Sequence, residues 1–466
     1  MTISCYMRLI EGYIGSVRYT LKIKALLITL LMLVATGCSA GASVENLLAP
    51  PKLDGQQNDI YQALINSTGS SIKLKYPKSG DYRSPFVVRN IDNEPGEEAM
   101  VFYAPDSVQT GEAALRLKFL DQYDGKWQVV YDLACIGTEV ESLSFTSIGE
   151  GFGEDILLRT SVLNQTEKVL TVISYADGTP KELYASPYSC LEVFDLNNDA
   201  NDELVTVVTD KTTGISTAML FARTESGLSK LSQTELVGTH SEIINVTKGF
   251  LSESVPALYI DHSRGQGQYG TSVVYCSGDR IVSPDSIGAN ADSSIVSRFT
   301  NDYMADIHCT DIEGDGFVEI PSMVPLPGYE ALPRAEQLCA VRWYTVERED
   351  FVSEHYGYYS SKFKFALLFP DRWHGVVTAV PNLQENEIIF IGYTPETGLE
   401  VNESTELMRI KIVDKSDTQT SVANAIILGE TEESIYCCFE TGTYKTSKLA
   451  LTASELEDSF IILTER

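Results

Sequence analysis

The sequence predicts a mostly β protein that is built from repeated units of short strands. Short runs such as residues 114–119 and 169–174 are rich in alternating and β-branched residues, and turn pairs such as Asp124-Gly125 separate them. Loops rich in Asp, Asn and Gly recur between these runs, and no long segment shows the period of an amphipathic helix. These three observations favour hairpin-linked antiparallel sheets.

The chain begins with a segment that is typical of export. Lys22 and Lys24 precede the apolar run 25–34, which is too short to span a bilayer. Three small residues come directly before Cys38 and resemble the bacterial lipobox, although Ala stands where Leu is usual three residues before the Cys. The resemblance implies a lipoprotein signal peptide over 1–37 and lipidation of Cys38. The alternative is a plain signal peptide followed by an incidental Cys.

Residues 38–57 are small, contain proline and lack periodicity, so they are expected to form a flexible tether. Two regions follow the tether. Residues 58–350 carry the loops and strands of the repeat, whereas 351–466 differ in texture and are expected to form a separate C-terminal domain.

Three loops place oxygen-bearing side chains at alternate positions, which is how a short loop wraps a hard cation such as Ca²⁺. The loop at 195 offers Asp195, Asn197, Asp199, Asn201 and Glu203. The loop at 311 offers Asp311, Glu313, Asp315 and Glu319, and the loop at 90 offers Asn90, Asp92, Glu94 and Glu98. Turns of this composition also occur without metal, so the alternative is a set of metal-free turns.

These loops differ from EF-hands, because Thr206 and Ser322 occupy the twelfth position, where an EF-hand has a bidentate Glu. The Asp-x-Asn-x-Asp pattern that ends in Glu203-Leu204-Val205, between two strands, resembles the FG-GAP/VCBS repeats of integrin-alpha-like β-propellers. The resemblance implies structural Ca²⁺ in loops that join adjacent strands of propeller blades. Gly316 permits the sharp turn at the sixth position, whereas Ala200 and Pro95 stand there in the other two loops.

The spacing of the loops suggests further copies between them. The loops begin at 90, 195 and 311, at about twice the length of a four-stranded blade, and degenerate copies are expected at 147 and 245. This pattern predicts a β-propeller of about five to seven blades, in which strands within 71–89 complete a blade begun at the other end of the repeat. The runner-up is a stack of β-sandwich repeats.

The C-terminal region predicts several strands and one helix, over 452–459. Its entry, Phe369-Pro370 followed by Trp373, and its closing helix and strand resemble the PsbP-like fold of small bacterial lipoprotein domains. The resemblance implies an α+β domain and brings no catalytic residues with it.

The chain has a formal net charge of −30 and a pI near 4.5, with thinly scattered Lys and Arg, so nucleic-acid binding is not expected. No zincin pattern, nucleophile elbow or Walker loop occurs, and His308-Cys309 is expected to be structural. The sequence therefore favours a non-enzymatic binding or scaffold lipoprotein on the outer face of the cytoplasmic membrane, with a protein, peptide or glycan ligand. The alternatives are a hydrolase that uses rim carboxylates and a solute-binding component of a transporter.

Overall fold

The computed structural model describes residues 54–69, 71–106, 112–176, 178–236, 238–252, 254–265, 268–283, 307–347, 350–416, 422, 424–445 and 447–463. The predicted signal peptide, Cys38 and the tether up to residue 53 lie outside these ranges. No helix within them is long and apolar enough to cross a membrane.

The chain divides into two compact units, Met1–Gln62 and Ala63–Arg466. The described part of the first unit belongs to helix α1 (Gly55–Thr68) and the residue before it. The side chain of Asp54 caps this helix by accepting a hydrogen bond from the backbone N–H of Gln57 at 2.7 Å. The predicted tether therefore ends in helix, which its small residues and prolines did not indicate.

The second unit is mostly β, and the strands that the structure describes there form six antiparallel sheets. The first sheet contains β1 (Ile72–Leu74), β2 (Phe86–Arg89), β3 (Glu98–Pro105), β4 (Leu115–Tyr123) and β5 (Lys126–Cys135). The second contains β6 (Glu139–Thr146), β7 (Asp155–Ser161), β8 (Lys168–Ala176) and β9 (Thr179–Tyr188). The third contains β10 (Cys190–Phe194), β11 (Glu203–Thr209), β12 (Ser216–Thr224) and β13 (Gly227–Glu235). The fourth contains β14 (Glu242–Ser252), β15 (Val255–Gly265), β16 (Gln268–Ser277) and β17 (Arg280–Val282).

The last two sheets share the C-terminal part of the chain. The fifth contains β18 (Ile320–Pro325), β19 (Cys339–Glu347), β20 (Asp350–Ser360), β21 (Phe365–Leu368) and the late strand β27 (Phe460–Ile462). The sixth contains β22 (Val377–Asn382), β23 (Glu387–Gly392), β24 (Glu406–Asp414), β25 (Ile426–Glu430) and β26 (Ser434–Glu440). Short 3₁₀ turns occur at Arg334–Glu336 and Asp371–Trp373, and helices α2 (Gly442–Lys445) and α3 (Ala453–Ser459) precede β27.

The boundary predicted at residues 350 and 351 falls inside the fifth sheet. Strands β19 and β20 form a hairpin across it, with Glu347 opposite Asp350. The fifth sheet then continues through β21, and β27 pairs with β21. The change in sequence texture near 351 therefore marks no change of sheet.

The second, third and fourth sheets are simple meanders, in which each strand pairs with its neighbour in the sequence. Apolar faces of consecutive sheets pack together, because each strand presents alternate side chains to either side. Phe119 of the first sheet stacks on Tyr175 of the second at 5.2 Å between ring centroids. Further buried clusters join the second sheet to the third, the third to the fourth and the fourth to the fifth.

The strands of the first sheet come from one continuous region of the chain. Both β1 and β2 pair with β3, which follows them directly. The segment between β1 and β2 reaches the second sheet, where the backbone N–H groups of Lys78 and Ser79 donate to the carbonyls of Val140 and Glu141 at 3.1 and 2.9 Å. The expected completion of this sheet by strands from the other end of the repeat does not occur among the described residues.

The C-terminal end closes over a large aromatic core. Trp373 and Phe390 are fully buried there, and the indole N–H of Trp373 donates to the carbonyl of Leu449 at 2.8 Å. The helix predicted over 452–459 is confirmed as α3, because the side chain of Thr452 caps it and Glu455 completes a capping box.

Strands β20 and β21 approach each other closely at Gly357. A Cβ atom there would lie 2.2 Å from the backbone oxygen of Leu367, whereas at Gly392 of β23 the nearest atom would be 3.9 Å away. We expect Gly357→Ala to lower the free energy of unfolding by about 1–3 kcal/mol, because the paired strands must separate. Chemical denaturation measures this loss, and a Gly392→Ala control should lose much less. Equal losses in the two variants would contradict the close approach seen at Gly357.

Candidate metal-binding loops

The three acidic loops lie at equivalent places in their sheets. The loop at 90 joins β2 to β3, and the loop at 195 joins β10 to β11. The loop at 311 leads into β18, and Thr310 and Glu319 close it by exchanging backbone hydrogen bonds at 3.3 and 3.0 Å. Pairing at the base of each loop holds its two ends together.

A buried glutamate at the ninth position closes each loop from the inside. One carboxylate oxygen of this residue accepts a hydrogen bond from the backbone N–H of the second residue, whose apolar side chain is also buried. The pairs are Glu98 with Ile91 at 2.8 Å, Glu203 with Leu196 at 3.1 Å, and Glu319 with Ile312 at 2.8 Å. Burial raises the pKa of all three carboxyls, to about 7 for Glu203 and about 8 for Glu319.

The loop at 311 wraps tightly around its first residue. One oxygen of Asp311 accepts the backbone N–H groups of Gly314 and Asp315 at 2.5 and 3.0 Å, and the other accepts that of Gly316 at 2.9 Å. Gly316 has a φ of 94°, which a side chain would disfavour. The sharp turn predicted at this glycine is therefore present.

Three carboxylates converge inside this loop. Oxygen atoms of Glu313, Asp315 and Glu319 lie within 4.8 Å of one another, and no other group of three acidic, His or Cys ligands is found among the residues that the structure describes. Glu319 is fully buried, and its Oε1 atom has no hydrogen-bond partner. His355 of β20 approaches from the side, with Nε2 3.1 Å from Oε1 of Glu313. A divalent cation would satisfy the bare oxygen and offset the charge of the cluster.

The loop at 195 is held together by an amide. The side-chain Nδ2 of Asn197 donates to Asp199 and to Glu203, each at 3.0 Å. Asp195 accepts the backbone N–H groups of Asp199 and Ala200 at 3.0 and 2.9 Å. In this arrangement the amide of Asn197, not an ion, bridges the two carboxylates, so a cation would require its side chain to rotate.

The loop at 90 brings its candidate ligands together least. Asn90 accepts the backbone N–H of Asn93 at 2.7 Å and donates to the carbonyl of Glu94 at 2.6 Å. Asp92 accepts the backbone N–H of Glu94 at 3.0 Å, so these side chains satisfy the loop backbone itself. Of the candidate ligands in this loop, only Glu98 is buried.

Neighbouring loops touch along one edge of the successive sheets, which we call the loop rim (residues 90–98, 147–155, 195–203, Ser254 and 311–319). The side-chain oxygen of Asn201 accepts the backbone N–H of Glu150 at 3.0 Å, and Asn198 donates to the carbonyl of Ser254 at 3.3 Å. Phe250 of β14 bridges to Phe317 by backbone pairing. These contacts connect the loops at 147, 195 and 311, the last of them through β14.

Of the two degenerate loop copies expected at 147 and 245, only the first is a loop between strands. The loop at 147 joins β6 to β7 at the expected place. The copy expected at 245 is wrong, because residues 245–249 lie within β14 and pair with β15. The chain instead turns tightly after Ser252, which faces Val255. The alternation of polar and apolar residues there belongs to a strand and not to a loop.

One buried charge was not identified from the sequence. Asp261 is fully buried, accepts hydrogen bonds from Thr271 and from the backbone of Cys309 at 2.7 and 3.0 Å, and lies 3.6 Å from Nδ1 of His308. Burial would raise the pKa of Asp261, but contacts with His308, Thr271 and Cys309 outweigh it and hold this pKa below its usual value. His308 is thus oriented by a buried charge, which no local sequence pattern indicates.

Comparisons with known proteins add little here. No family model matches the chain, and neither does any curated protein. A putative 6-phosphogluconolactonase from Bacteroides fragilis is 12% identical with a TM-score of 0.29, over 70% of this chain and 92% of that one. Sqt1 from Saccharomyces cerevisiae is 11% identical with a TM-score of 0.27, over 80% and 99%. A periplasmic gluconolactonase from Pseudomonas aeruginosa is 11% identical with a TM-score of 0.24, over 69% and 84%. Similarities this low carry no conclusion about fold or activity.

The hydrogen bond that the buried glutamate at the ninth position accepts can be tested at Glu203. We expect Glu203→Ala to lower the free energy of unfolding by about 1–3 kcal/mol, because the buried N–H of Leu196 loses its acceptor. Glu203→Gln keeps an acceptor oxygen and should lose clearly less. Thermal and chemical denaturation measure both, and similar losses in the two variants would show that the hydrogen bond is not what closes the loop.

A buried pair of histidines is expected to make the free energy of unfolding fall as the pH is lowered. His240 and His262 lie edge to face with 4.0 Å between ring centroids, and burial, with His240 and Arg264 nearby, lowers the pKa of His262 to about 3. Because an exposed imidazole titrates near pH 6.5, the unfolded chain takes up the proton first, and His262 should cost about 2 kcal/mol of stability between pH 7 and pH 5.

We therefore expect His262→Gln to show a smaller drop in Tm between pH 7 and pH 5 than the wild-type chain. The variant is compared with the wild-type chain because the buried glutamates, whose pKa values are raised, add stability as the pH falls. His374→Gln, at an exposed position, is the control for the loss of one imidazole. An unaltered drop in the His262 variant would contradict the assignment of a buried neutral imidazole.

Proposed function

We propose that this chain is an extracytoplasmic lipoprotein, anchored through a lipid on Cys38, whose sheets act as the blades of a β-propeller. Its loop rim presents a binding surface to a protein, peptide or glycan, and calcium stabilises that surface structurally. The meander order of the sheets and their sequential face packing support the blade arrangement. The segment before residue 38 supports export and anchoring.

One observation carries the calcium part of the proposal: the bare, fully buried oxygen of Glu319 beside Glu313 and Asp315. An ion at this loop would coordinate the Glu319 oxygen that otherwise has no hydrogen-bond partner. We rank the loop at 311 first, the loop at 195 second because Asn197 must rotate, and the loop at 90 last. The loops are therefore not equivalent ion sites.

The test is thermal melting of the full chain in chelator and in millimolar calcium. Extracellular calcium modules bind at about 10⁻⁴–10⁻³ M, so one occupied site adds about 1 kcal/mol and raises the Tm by about 2–4 °C. Asp311→Ala combined with Asp315→Ala should abolish most of this shift. Asp279→Ala, at an exposed turn between β16 and β17, is the matched control and should keep it.

The same experiment separates the proposal from the second candidate, a hydrolase that uses rim carboxylates. The convergence of Glu313, Asp315 and Glu319 is the observation that supports both. A wild-type chain that melts at the same temperature with and without calcium would remove the structural-ion role. The three carboxylates would then be available for acid–base chemistry, and activity assays would follow.

A further inference from the structure

The loop at 147–155 has the frame of the acidic loops without their ligands. It carries Ser147, Gly149 and Gly151 at the first, third and fifth positions, where the others have carboxylates or amides. It keeps a buried apolar residue, Ile148, at the second position and a fully buried acid, Asp155, at the ninth. The buried acid of the other loops is thus present at the same position, but the oxygens that would surround an ion are not.

We propose that the guanidinium group of Arg223 takes the place of the cation in this loop. Arg223 reaches in from β12 of the next sheet, and its Nε atom lies 3.4 Å from Oδ2 of Asp155. The two side chains are 6% and 0% exposed, so the charge of each is compensated almost entirely by the other.

The loop is shaped around this side chain. The guanidinium carbon of Arg223 lies 4.9 Å from the ring centroid of Phe152, as in a cation–π contact. Gly149, with a φ of 74°, passes so close that a Cβ atom there would lie 3.1 Å from Cβ of Arg223. Nη1 of Arg223 donates to the carbonyl of Thr224 at 2.9 Å, which fixes the direction of the side chain.

A guanidinium group and a metal ion need different numbers of oxygen atoms from a loop. Ca²⁺ requires about six to eight oxygens, whereas one buried carboxylate and an aromatic face suffice for a guanidinium. Burial raises the pKa of Asp155 to about 6, although Arg223 and the amide of Ile148 act to lower it. Asp155 is therefore charged at neutral pH and depends on Arg223 for its stabilisation.

The loop rim then contains two kinds of loop, one closed by a guanidinium group and others that bind calcium. The second kind rests on the proposed function. The loop at 147 is closed without metal, and it holds the loop at 195 through Asn201 and through a hydrogen bond from the N–H of Gly149 to the carbonyl of Asp202 at 2.9 Å. Because the Asn201 oxygen accepts the N–H of Glu150, this residue positions the loop at 195 against the loop at 147.

The test is a double-mutant cycle in the full chain, melted in chelator so that calcium plays no part. Arg223→Leu should lower the Tm by roughly 5–10 °C, because it leaves the carboxylate of Asp155 buried and unpaired. Combining it with Asp155→Asn should recover more than half of that loss, since an amide needs no counter-charge. Additive losses in the double variant would overturn the proposal.

Two further measurements keep the proposal falsifiable if the Leu variant does not fold. Arg223→Lys keeps the positive charge and should lose less than half as much stability, whereas a Lys variant as unstable as Arg223→Ala would overturn it. In Arg223→Ala, guanidinium chloride far below denaturing concentrations should raise the Tm more than sodium chloride does. If calcium raised the Tm of Arg223→Ala instead, this loop would be a metal-binding site, and the proposal would also be overturned. A wild-type chain without any calcium response would remove the calcium part of the proposed function and leave these results unaffected.

Discussion

The buried acid at the ninth position of the strand-to-strand loops is the constraint on which the rim depends. A backbone N–H at the second position points into the sheet, away from water, and would cost about 1–3 kcal/mol if it lacked an acceptor. Glu98, Glu203 and Glu319 supply that acceptor and bring the start of each loop back to the strand that follows it. The same solution creates a second problem, because a buried carboxylate has another oxygen and a charge to compensate.

The loops solve that second problem in different ways. The amide of Asn197 donates to Glu203, and the guanidinium of Arg223 lies against Asp155. Glu319 has no partner for its second oxygen within the described chain, and two further carboxylates face it. The case for an ion is therefore strongest where no amide or guanidinium group of the chain lies against the buried carboxylate. This is why acidic composition alone is a poor guide to which loop holds metal.

Local patterns in the sequence were enough to predict the strands, the turn pairs and helix α3. They also placed the loops at 90, 195 and 311 between strands, since alternation and turn residues are read within a few positions. They could not identify Arg223 as the partner of Asp155, because the two residues lie on different sheets and meet only after packing. The predicted boundary near 351 falls between β19 and β20, whose pairing a change in composition does not indicate.

The contacts between loops decide how far an ion at one of them would act. Phe317 of the loop at 311 pairs with Phe250 near the turn of β14, and Ser254 in that turn accepts a hydrogen bond from Asn198 of the loop at 195. Asn201 of that loop in turn holds the loop at 147. These contacts are made by backbone and polar side chains at the edge of the sheets, whereas the cores between sheets are apolar and contain none of them. An ion at 311, as proposed, would therefore be connected to the neighbouring loops through backbone and polar contacts and not through the apolar cores.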